Sequence, residues 1–287
     1  MIINVMENRL ALRNKEKIVI KIGTSSLTNE NGQINYNSFE NLVNTLCKLR
    51  KLNKKVLLVT SGAIAVGASK LGLQNRPKDL AMKQALAAIG QAELMKIYEN
   101  YFTNHNQIVA QVLLTKDGVI NPIRRHNAKN TLNTLLNLGI VPIINENDTV
   151  STDEIEFGDN DTLSAYVAQV IEAELLIILS DIDGLYNGDP KKDTNAKIIS
   201  KVKSIEEVES FAGSTNSEFA RGGMITKIAA AKLCNSAGID MIIAKSDNSD
   251  IILDILDGKE IGTLFVAQRE EESKKEIQPT VYKEKHG

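Results

Sequence analysis

Short apolar runs alternate along this chain with amphipathic stretches, and the alternation predicts an α/β fold. Seven runs of four to eight residues, rich in β-branched side chains, are typical of buried strands: 17–22, 55–60, 107–114, 140–145, 174–180, 240–244 and 263–266. Between them, apolar residues recur at spacings of three and four, which predicts helices at 38–53, 80–103, 127–138, 161–172, 226–237 and 249–256. Strands joined by covering helices predict a three-layer αβα sandwich around a mainly parallel open sheet.

This pattern continues to about residue 268 and then stops. No internal repeat and no low-complexity linker divides the chain, so we expect one α/β domain over residues 1–268. The segment from Arg269 to Glu276 (REEESKKE) is almost entirely charged, and we expect residues 269–287 to form a solvated tail. A tail helix that packs on a partner is the alternative.

The charge balance narrows the class of partner. The chain has 287 residues, with 34 basic and 36 acidic side chains and a net charge of −2, which disfavours a strongly basic nucleic-acid binder. No apolar window reaches the ~18 residues of a membrane-spanning helix, and charges interrupt the N-terminal segment where a secretion signal needs an apolar run. We therefore expect a cytoplasmic protein with neither a membrane nor a nucleic acid as partner.

The cysteines and histidines are too few and too far apart in the sequence to predict a metal site or a disulfide framework. Cys47 and Cys234 lie far apart in amphipathic segments, which matches neither a CxxC metal pair nor a disulfide framework. Burial in the core is the expected role of both thiols. The chain has three histidines, so no histidine-rich metal centre is predicted.

Polar segments, most of which contain glycine, follow several of the predicted strands, where ligands of open α/β sheets bind. These segments are 21–26 (KIGTSS), 60–63 (TSGA), 145–148 (NEND), 157–161 (FGDND), 180–186 (SDIDGLY) and 221–227 (RGGMITK). Backbone N–H groups at helix starts favour anions, although a hydroxyl group there is more often a simple helix cap. The carboxylate and amide groups of the third and fourth segments suit an ammonium ligand, the orientation of lysines, or turns and caps alone.

Glycines, lysines and helix starts together indicate a phosphate ligand, yet the common nucleotide motifs are missing. Gly67 and Gly72 have the first spacing of GxxxxGK[ST], but Leu73 and Gln74 follow in place of the lysine and the hydroxyl residue. The sequence also contains no GxGxxG. A P-loop enzyme and a dinucleotide-binding Rossmann domain are therefore both disfavoured.

Seven segments resemble the amino acid kinase superfamily and follow one another in that family's order. They cover about residues 15–267 and are VIKIGTSSLT (19–28), LVTSGAIAVG (58–67), QALAAIGQAELM (84–95), VPIINENDTV (141–150), FGDND (157–161), LSDIDGLY (179–186) and GGMITK (222–227). The resemblance implies an αβα kinase domain that uses ATP. Within the superfamily it is to the members that phosphorylate the γ-carboxylate of L-glutamate, the first step of proline biosynthesis.

The resemblance also implies roles for individual residues. Lys21 and Lys227 would contact the ATP phosphates, and Asp161 would hold both lysines in place. The glutamate-binding residues that it implies are Ser61, Asn145, Asp148 and Asn160. The further ATP-binding residues that it implies are Gly23, Ser180, Asp181, Arg221, Gly222, Gly223, Met224, Ile225 and Thr226. Mg²⁺ is expected to bind mainly through the nucleotide phosphates, with no metal ligand assigned to the protein.

Two features depart from the family's usual pattern. Ala220 and Arg221 stand where most members have Gly-Thr, which removes one hydroxyl contact, and Arg221 either contacts a phosphate or points to solvent. Many members carry a C-terminal PUA domain, which is larger than the 20 residues that follow Ala267, so a short form is expected. The family also implies a homo-oligomer, either a dimer or a tetramer.

Several competing hypotheses remain at this stage. A free α-ammonium group calls for an acidic partner such as Asp148, which favours glutamate over the acceptors of acetylglutamate kinase, aspartokinase, carbamate kinase and UMP kinase. A non-catalytic sensor with an inherited kinase fold is disfavoured because both lysines and Asp161 are present. RNA binding is disfavoured by the acidic balance and by the absence of a PUA-type module.

Overall fold

The fold is known from a computed structural model that describes residues 7–29, 31–73, 79–150, 160–188, 190, 193–205, 208 and 223–268. The strands are β1 (Lys17–Ile22), β2 (Lys55–Val59), β3 (Val109–Leu114), β4 (Val141–Glu146), β5 (Leu175–Ser180), β6 (Lys201–Val202), β7 (Asp240–Lys245) and β8 (Thr263–Phe265). They form one sheet in the order β3-β4-β2-β1-β5-β7-β8-β6. Neighbouring strands run parallel except β7 and β8, which are antiparallel. The sheet is therefore mainly parallel, as predicted.

The helices lie between these strands. They are α1 (Thr24–Leu27), α2 (Tyr36–Lys51), α3 (Ala63–Lys70), α4 (Leu80–Thr103), α5 (Lys116–Ile120), α6 (Pro122–Asn137), α7 (Asn160–Val170), α8 (Ile225–Ser236) and α9 (Ile251–Leu256). Asn35, Asp79 and Asn121 start α2, α4 and α6, because each side chain accepts a hydrogen bond from a backbone N–H of the first turn. Pro122 suits the first position of α6, where no N–H group is needed.

Successive residues of the central strands point into two separate cores. Ile18, Ile20 and Ile22 of β1 share one core with residues of α2, α4 and α9, whereas Val19 lies in the other with residues of α6, α7 and α8. This period of two is a property of strand geometry. Every residue of β5 is buried, as expected for a strand that is covered on both faces. The predicted three-layer sandwich is confirmed.

Most element boundaries lie within two residues of the predicted ones, and helix 80–103 has the predicted bounds. The predicted start of helix 127–138 was wrong, because the Asn121 cap and Pro122 begin α6 a turn earlier. The structure also contains α3, which begins at the end of the polar segment 60–63 and for which no bounds were predicted. It contains α1, α5 and β6 as well, which are too short to show a hydrophobic period. The predicted tail, residues 269–287, lies outside the described residues, so the domain boundary at 268 stays a prediction.

Both cysteines are buried with free thiols, as predicted. Burial raises the pKa of the Cys47 thiol to about 11, so this group stays protonated at neutral pH and is a poor nucleophile. Burial also raises the pKa of the Cys234 thiol. In the part of the chain that the structure describes, no helix is long and apolar enough to cross a bilayer.

The strand order creates a crevice at the carboxyl edge of the sheet, between β1 and β5. From β1 the chain crosses toward β2 on one side, and from β5 it crosses toward the strands on the other side. The two crossings diverge at this point, which is the position where open α/β sheets bind ligands.

α3 and α4 pack with their backbones in direct contact. A Cβ atom at Gly90 would lie 1.8 Å from the Ala63 carbonyl oxygen, and one at Gly67 would lie 2.1 Å from the Leu86 carbonyl oxygen. No side chain fits at either glycine. This contact holds α4 against the turn that follows β2, and so brings polar residues of α4 close to the crevice.

We expect Gly90→Ala to lower the free energy of unfolding by about 1–3 kcal/mol, because the new methyl group overlaps a helix backbone that cannot shift alone. Thermal unfolding followed by circular dichroism measures the change. Gly118→Ala in α5 is the matched control: its Cβ would lie 3.4 Å from Thr115 Oγ1, and alanine favours helix, so its Tm should not fall. A Gly90→Ala protein with the wild-type Tm would refute the close contact.

Candidate active site

Two lysines share one aspartate at the carboxyl edge of the sheet. Lys21 Nζ lies 2.6 Å from Asp161 Oδ1, and Lys227 Nζ lies 3.0 Å from Asp161 Oδ2. The side chains of Lys21, Lys227 and Asp161 are 5%, 7% and 0% exposed, respectively. The three groups together carry one net positive charge in a buried crevice, where electrostatic interactions are strong. Such a cluster favours an anionic ligand.

Local structure explains how these three residues meet. Lys21 is the penultimate residue of β1, Asp161 lies in the first turn of α7, and Lys227 lies in the first turn of α8. A carboxylate in a first turn interacts favourably with the positive end of the helix dipole. Lys227 Nζ also donates to the Gly223 carbonyl oxygen at 3.3 Å, and Gly223 has a φ of 81°, which glycine adopts easily.

Thr226 supports the same cluster from α8. Its Oγ1 lies 3.2 Å from Asp161 Oδ2 and 2.8 Å from the Gly223 carbonyl oxygen, so the hydroxyl group links the aspartate to the turn before the helix. Ser164 Oγ donates to the Asp161 carbonyl oxygen at 2.6 Å. These contacts restrict the position of the aspartate, and therefore of both ammonium groups, before any ligand is bound.

Two glycine turns lie beside Lys21. A Cβ atom at Gly23 would be 3.7 Å from Lys21 Nζ, and a Cβ atom at Gly62 would be 3.7 Å from Thr24 Cγ2, so the turns after β1 and β2 are neighbours. Gly62 has a φ of 101° and immediately precedes α3. No side chain caps the start of that helix, and backbone N–H groups in a first helical turn favour an anion.

A network of side-chain amides lies next to the lysine cluster. Asn160 Nδ2 is 2.6 Å from the Thr60 carbonyl oxygen, 2.9 Å from Ser61 Oγ and 2.8 Å from Asn145 Oδ1. Asn145 Nδ2 in turn donates to Gln91 Oε1 at 2.8 Å. Asn160 precedes Asp161 directly, so the amide network and the lysine cluster are joined at the start of α7.

Asp148 lies in the turn after β4 and is partly buried. Burial, and to a smaller extent the neighbouring Glu146, raise the pKa of the Asp148 carboxyl group to about 6. Desolvation of this kind disfavours the ionised carboxylate. A cationic ligand placed beside Asp148 would reverse the effect and stabilise its charged form.

Serine contacts bring three strands together on the other side of the crevice. Ser180 ends β5, and its Oγ donates to Asp181 Oδ1 at 2.9 Å. Ser246, which follows β7, donates its backbone N–H to the Ser180 carbonyl oxygen at 2.8 Å. The hydroxyl groups of Ser246 and Ser26 lie 2.6 Å apart, so the turn after β1 is joined to the same edge.

The structure thus brings most of the predicted site residues to one edge of the sheet. Of the predicted ATP-binding segment, Met224 is buried and Ile225 is exposed, whereas Arg221 and Gly222 lie outside the described residues. Within the described residues, no group of three or more His, Cys, Asp or Glu side chains could hold a metal ion.

Sequence reasoning missed two residues of α4 that support the site. Tyr98 is fully buried, and its OH lies 2.8 Å from Thr60 Oγ1, in the turn after β2. Gln91 contacts Asn145, as described above. One signal was available: Gln91 is a polar residue that directly follows the apolar run LAAIG, which ends at Gly90. Tyr98 gave none, because an aromatic residue at helical spacing is typical of a core.

Comparison with known proteins agrees with this fold. Residues 16–245 match the model of the amino acid kinase family. The solved carbamate kinase from Giardia lamblia bound to AMP-PNP aligns with a TM-score of 0.64 and 18% identity, over 89% of this chain and 100% of that one. At this level of identity the structural match shows the fold alone. The chain belongs to the amino acid kinase family and is a phosphotransferase.

Sequence relatives narrow the comparison within that family. The chain is 48% identical over 268 residues to the glutamate 5-kinase of Clostridium perfringens, which covers 92% of this chain and 100% of that protein. It is also 48% identical over 268 residues to the glutamate 5-kinase of Listeria monocytogenes, which covers 92% of this chain and 97% of the relative. The resemblance found in the sequence is confirmed.

Proposed function

We propose that this chain transfers the γ-phosphoryl group of ATP to the γ-carboxylate of L-glutamate, which yields L-glutamyl 5-phosphate. One observation carries the proposal: Lys21 and Lys227 contact the same carboxylate of Asp161 in the crevice between β1 and β5. The adjacent amide network gives this cationic cluster a neighbouring site for a polar acceptor. The identity to glutamate 5-kinases supports glutamate as that acceptor.

The acceptor itself simplifies the chemistry. A glutamate side chain has an unperturbed pKa of about 4.3, so at neutral pH its carboxylate is already ionised and can attack phosphorus directly. No general base is needed to remove a proton. The main obstacle is electrostatic, because an anion must approach a triphosphate and negative charge spreads over the transferred group.

The lysine cluster answers this electrostatic requirement. In the proposal, Lys21 and Lys227 contact the phosphates, while backbone N–H groups of the turns at Gly23 and Gly62 face the transferred group. Asp161 holds the two ammonium groups in position before ATP arrives, so little reorganisation is needed during the reaction. Fixed charges in a buried site stabilise a transition state more than mobile charges in water do.

The acceptor side of the site matches the groups of an amino acid. Asp148 would face the α-ammonium group, and the hydroxyl of Ser61 would donate to a carboxylate. The amides of Asn145 and Asn160 would orient the acceptor beside the lysines. Asn160 and Asp161 are consecutive. An acceptor that contacts Asn160 would therefore lie next to the lysine cluster, which would bind the phosphates.

ATP and Mg²⁺ complete the proposal. Both Asp161 oxygens contact lysines, so this buried carboxylate is engaged without a metal. We therefore place Mg²⁺ mainly on the nucleotide phosphates, which is its common mode of binding, while Ser180 and Asp181 contact the nucleotide. Bound Mg²⁺ would neutralise part of the phosphate charge. On the family resemblance, we also propose that the protein is cytoplasmic, forms a homodimer or homotetramer, and has no nucleic acid as partner.

ADP release with a panel of acceptors tests the function. With ATP and Mg²⁺, we expect glutamate to give the highest kcat/KM among glutamate, N-acetylglutamate, aspartate, carbamate and UMP. Faster turnover of another acceptor would overturn the choice of substrate. Tight ATP binding without turnover for any acceptor would favour the sensor hypothesis instead.

The raised pKa of Asp148 predicts a pH dependence. Only the ionised carboxylate attracts the substrate ammonium group, so kcat/KM for glutamate should fall as the pH drops through about 6. The value should stay level above pH 7, and kcat/KM for ATP should change much less. Initial rates between pH 5 and 8 measure the profile. Asp148→Asn is the control: its KM for glutamate should be raised at every pH and the fall near pH 6 lost.

A further inference from the structure

α4 places one polar side chain behind the acceptor pocket. Gln91 is 8% exposed, and its Oε1 accepts a hydrogen bond from Asn145 Nδ2 at 2.8 Å. Its position follows from the preceding residue, because Gly90 allows the α4 backbone to touch Ala63 in the first turn of α3. The helix contact therefore brings the amide of Gln91 to the carboxyl end of β4.

Two backbone groups fix the direction of every amide in this network. The Thr60 carbonyl oxygen can only accept, so the Asn160 atom that lies 2.6 Å from it is the Nδ2 donor. The Glu146 N–H can only donate, so it requires Asn145 Oδ1, which lies 2.9 Å away. Asn145 Nδ2 then points toward Gln91, whose Oε1 is the acceptor that completes the chain.

Gln91 is not the residue that stability alone would favour here. Its Nε2 is buried without a hydrogen-bond partner among the described residues. A buried donor without a partner destabilises a folded protein, and native structures contain few of them. A methionine has nearly the same length and no such donor. The contact that distinguishes glutamine from methionine is the one from Oε1 to Asn145.

We infer that Gln91 is a positioning residue for the acceptor substrate, which acts by fixing the amide of Asn145. With Gln91 in place, Asn145 Oδ1 is held toward Asn160 Nδ2, which also contacts Ser61 Oγ. Without that acceptor, the Asn145 amide loses its only described partner for Nδ2 and is held through Oδ1 alone, so its orientation is less tightly fixed. The inference rests on the proposed function, because it assigns Gln91 to the glutamate side of that site.

Two substitutions of similar size separate this role from simple packing. Gln91→Met removes the acceptor, and we expect it to raise the KM for glutamate about three- to tenfold, the effect of one buried hydrogen bond. The KM for ATP should stay within about twofold, since the lysine cluster is untouched. Gln91→Glu keeps a side-chain acceptor, so its KM for glutamate should lie closer to the wild-type value than that of Gln91→Met.

A double-mutant cycle tests whether Gln91 acts through its neighbour. In an Asn145→Ala background, Gln91→Met should raise the KM for glutamate by less than about twofold, because the contact is already lost. Equal and independent effects in the two backgrounds would overturn the inference. It would also fail if Gln91→Met left the KM for glutamate unchanged or raised the KM of both substrates alike.

Folding and function controls keep these outcomes distinct. The thermal transition shows whether Gln91→Met folds. If it does not, Gln91→Glu tests the inference in its place. Gln91→Glu keeps a side-chain acceptor, so a KM for glutamate raised more than about tenfold would overturn the inference. A wild-type protein without glutamate-dependent turnover would overturn the proposed function, and the inference with it. Wild-type turnover combined with unchanged KM values in the variants would overturn the inference alone.

Discussion

Replacing Lys227 with alanine is expected to lower kcat about 10²–10³-fold, the usual effect of removing one positioned electrostatic group from an active site. The ammonium group lies in a buried crevice, 3.0 Å from Asp161, where water replaces it poorly. The KM for ATP should change much less, because Lys21 and the glycine turns remain. Steady-state ADP release at saturating glutamate and ATP measures both constants.

Lys232→Ala provides a control on the same helix. Lys232 is exposed on α8, away from the buried face that carries Lys227, so its removal changes the surface charge of the helix and not the cluster. Its kcat should match that of the wild type. If Lys227→Ala kept a kcat within a few-fold of the wild type, Lys227 would not stabilise the transferred phosphoryl group.

Asp161→Asn is expected to affect both activity and stability. The substitution keeps the shape of the side chain but leaves two buried ammonium groups without their carboxylate. Removing one partner of a buried ion pair costs about 3–5 kcal/mol, and we expect a loss of that size in the free energy of unfolding. The lysines would also lose their fixed positions, so kcat should fall about as far as in Lys227→Ala, roughly 10²–10³-fold.

Denaturant unfolding with and without ATP and Mg²⁺ measures the stability effect. Phosphates that bind both lysines can supply the missing negative charge, so the nucleotide should stabilise Asp161→Asn more than it stabilises the wild type. Asp257→Asn is the matched control, because Asp257 forms an exposed ion pair with Arg13 and should matter little. An Asp161→Asn protein as stable as the wild type would mean that the lysines do not depend on this carboxylate.

The layers of the fold could be predicted from the sequence because burial on both faces leaves a strong signal. The run LLIIL of β5 is apolar throughout, and α4 has the bounds that its pattern predicts. The two-residue strand β6 left no such signal, since its pairing with β8 depends on distant residues. The early start of α6 follows from a cap and a proline, which act outside the apolar period.

Part of the candidate site could likewise be predicted from the sequence, and part could not. The polar segments at strand ends and the glycine turns predicted the position of the crevice. Hydrophobic periodicity alone cannot predict that residues 21, 161 and 227 meet, because their contact depends on the order of the strands. The family resemblance supplied that grouping. The contacts of Gln91 with Asn145 and of Tyr98 with Thr60 could not be predicted. They depend on the close packing of α3 against α4, which places these α4 side chains beside the crevice.

The most direct measurement is a hydroxylamine trap for the acyl phosphate, run with ATP, Mg²⁺ and glutamate. Hydroxylamine converts an acyl phosphate to a hydroxamate, so the assay reports the new bond between the carboxylate and the phosphoryl group. We predict glutamate-dependent hydroxamate formation in step with ADP release by the wild type, and a loss of about 10²–10³-fold in Lys227→Ala. ADP release without hydroxamate, or undiminished hydroxamate formation by Lys227→Ala, would contradict transfer to the carboxylate by the two-lysine site.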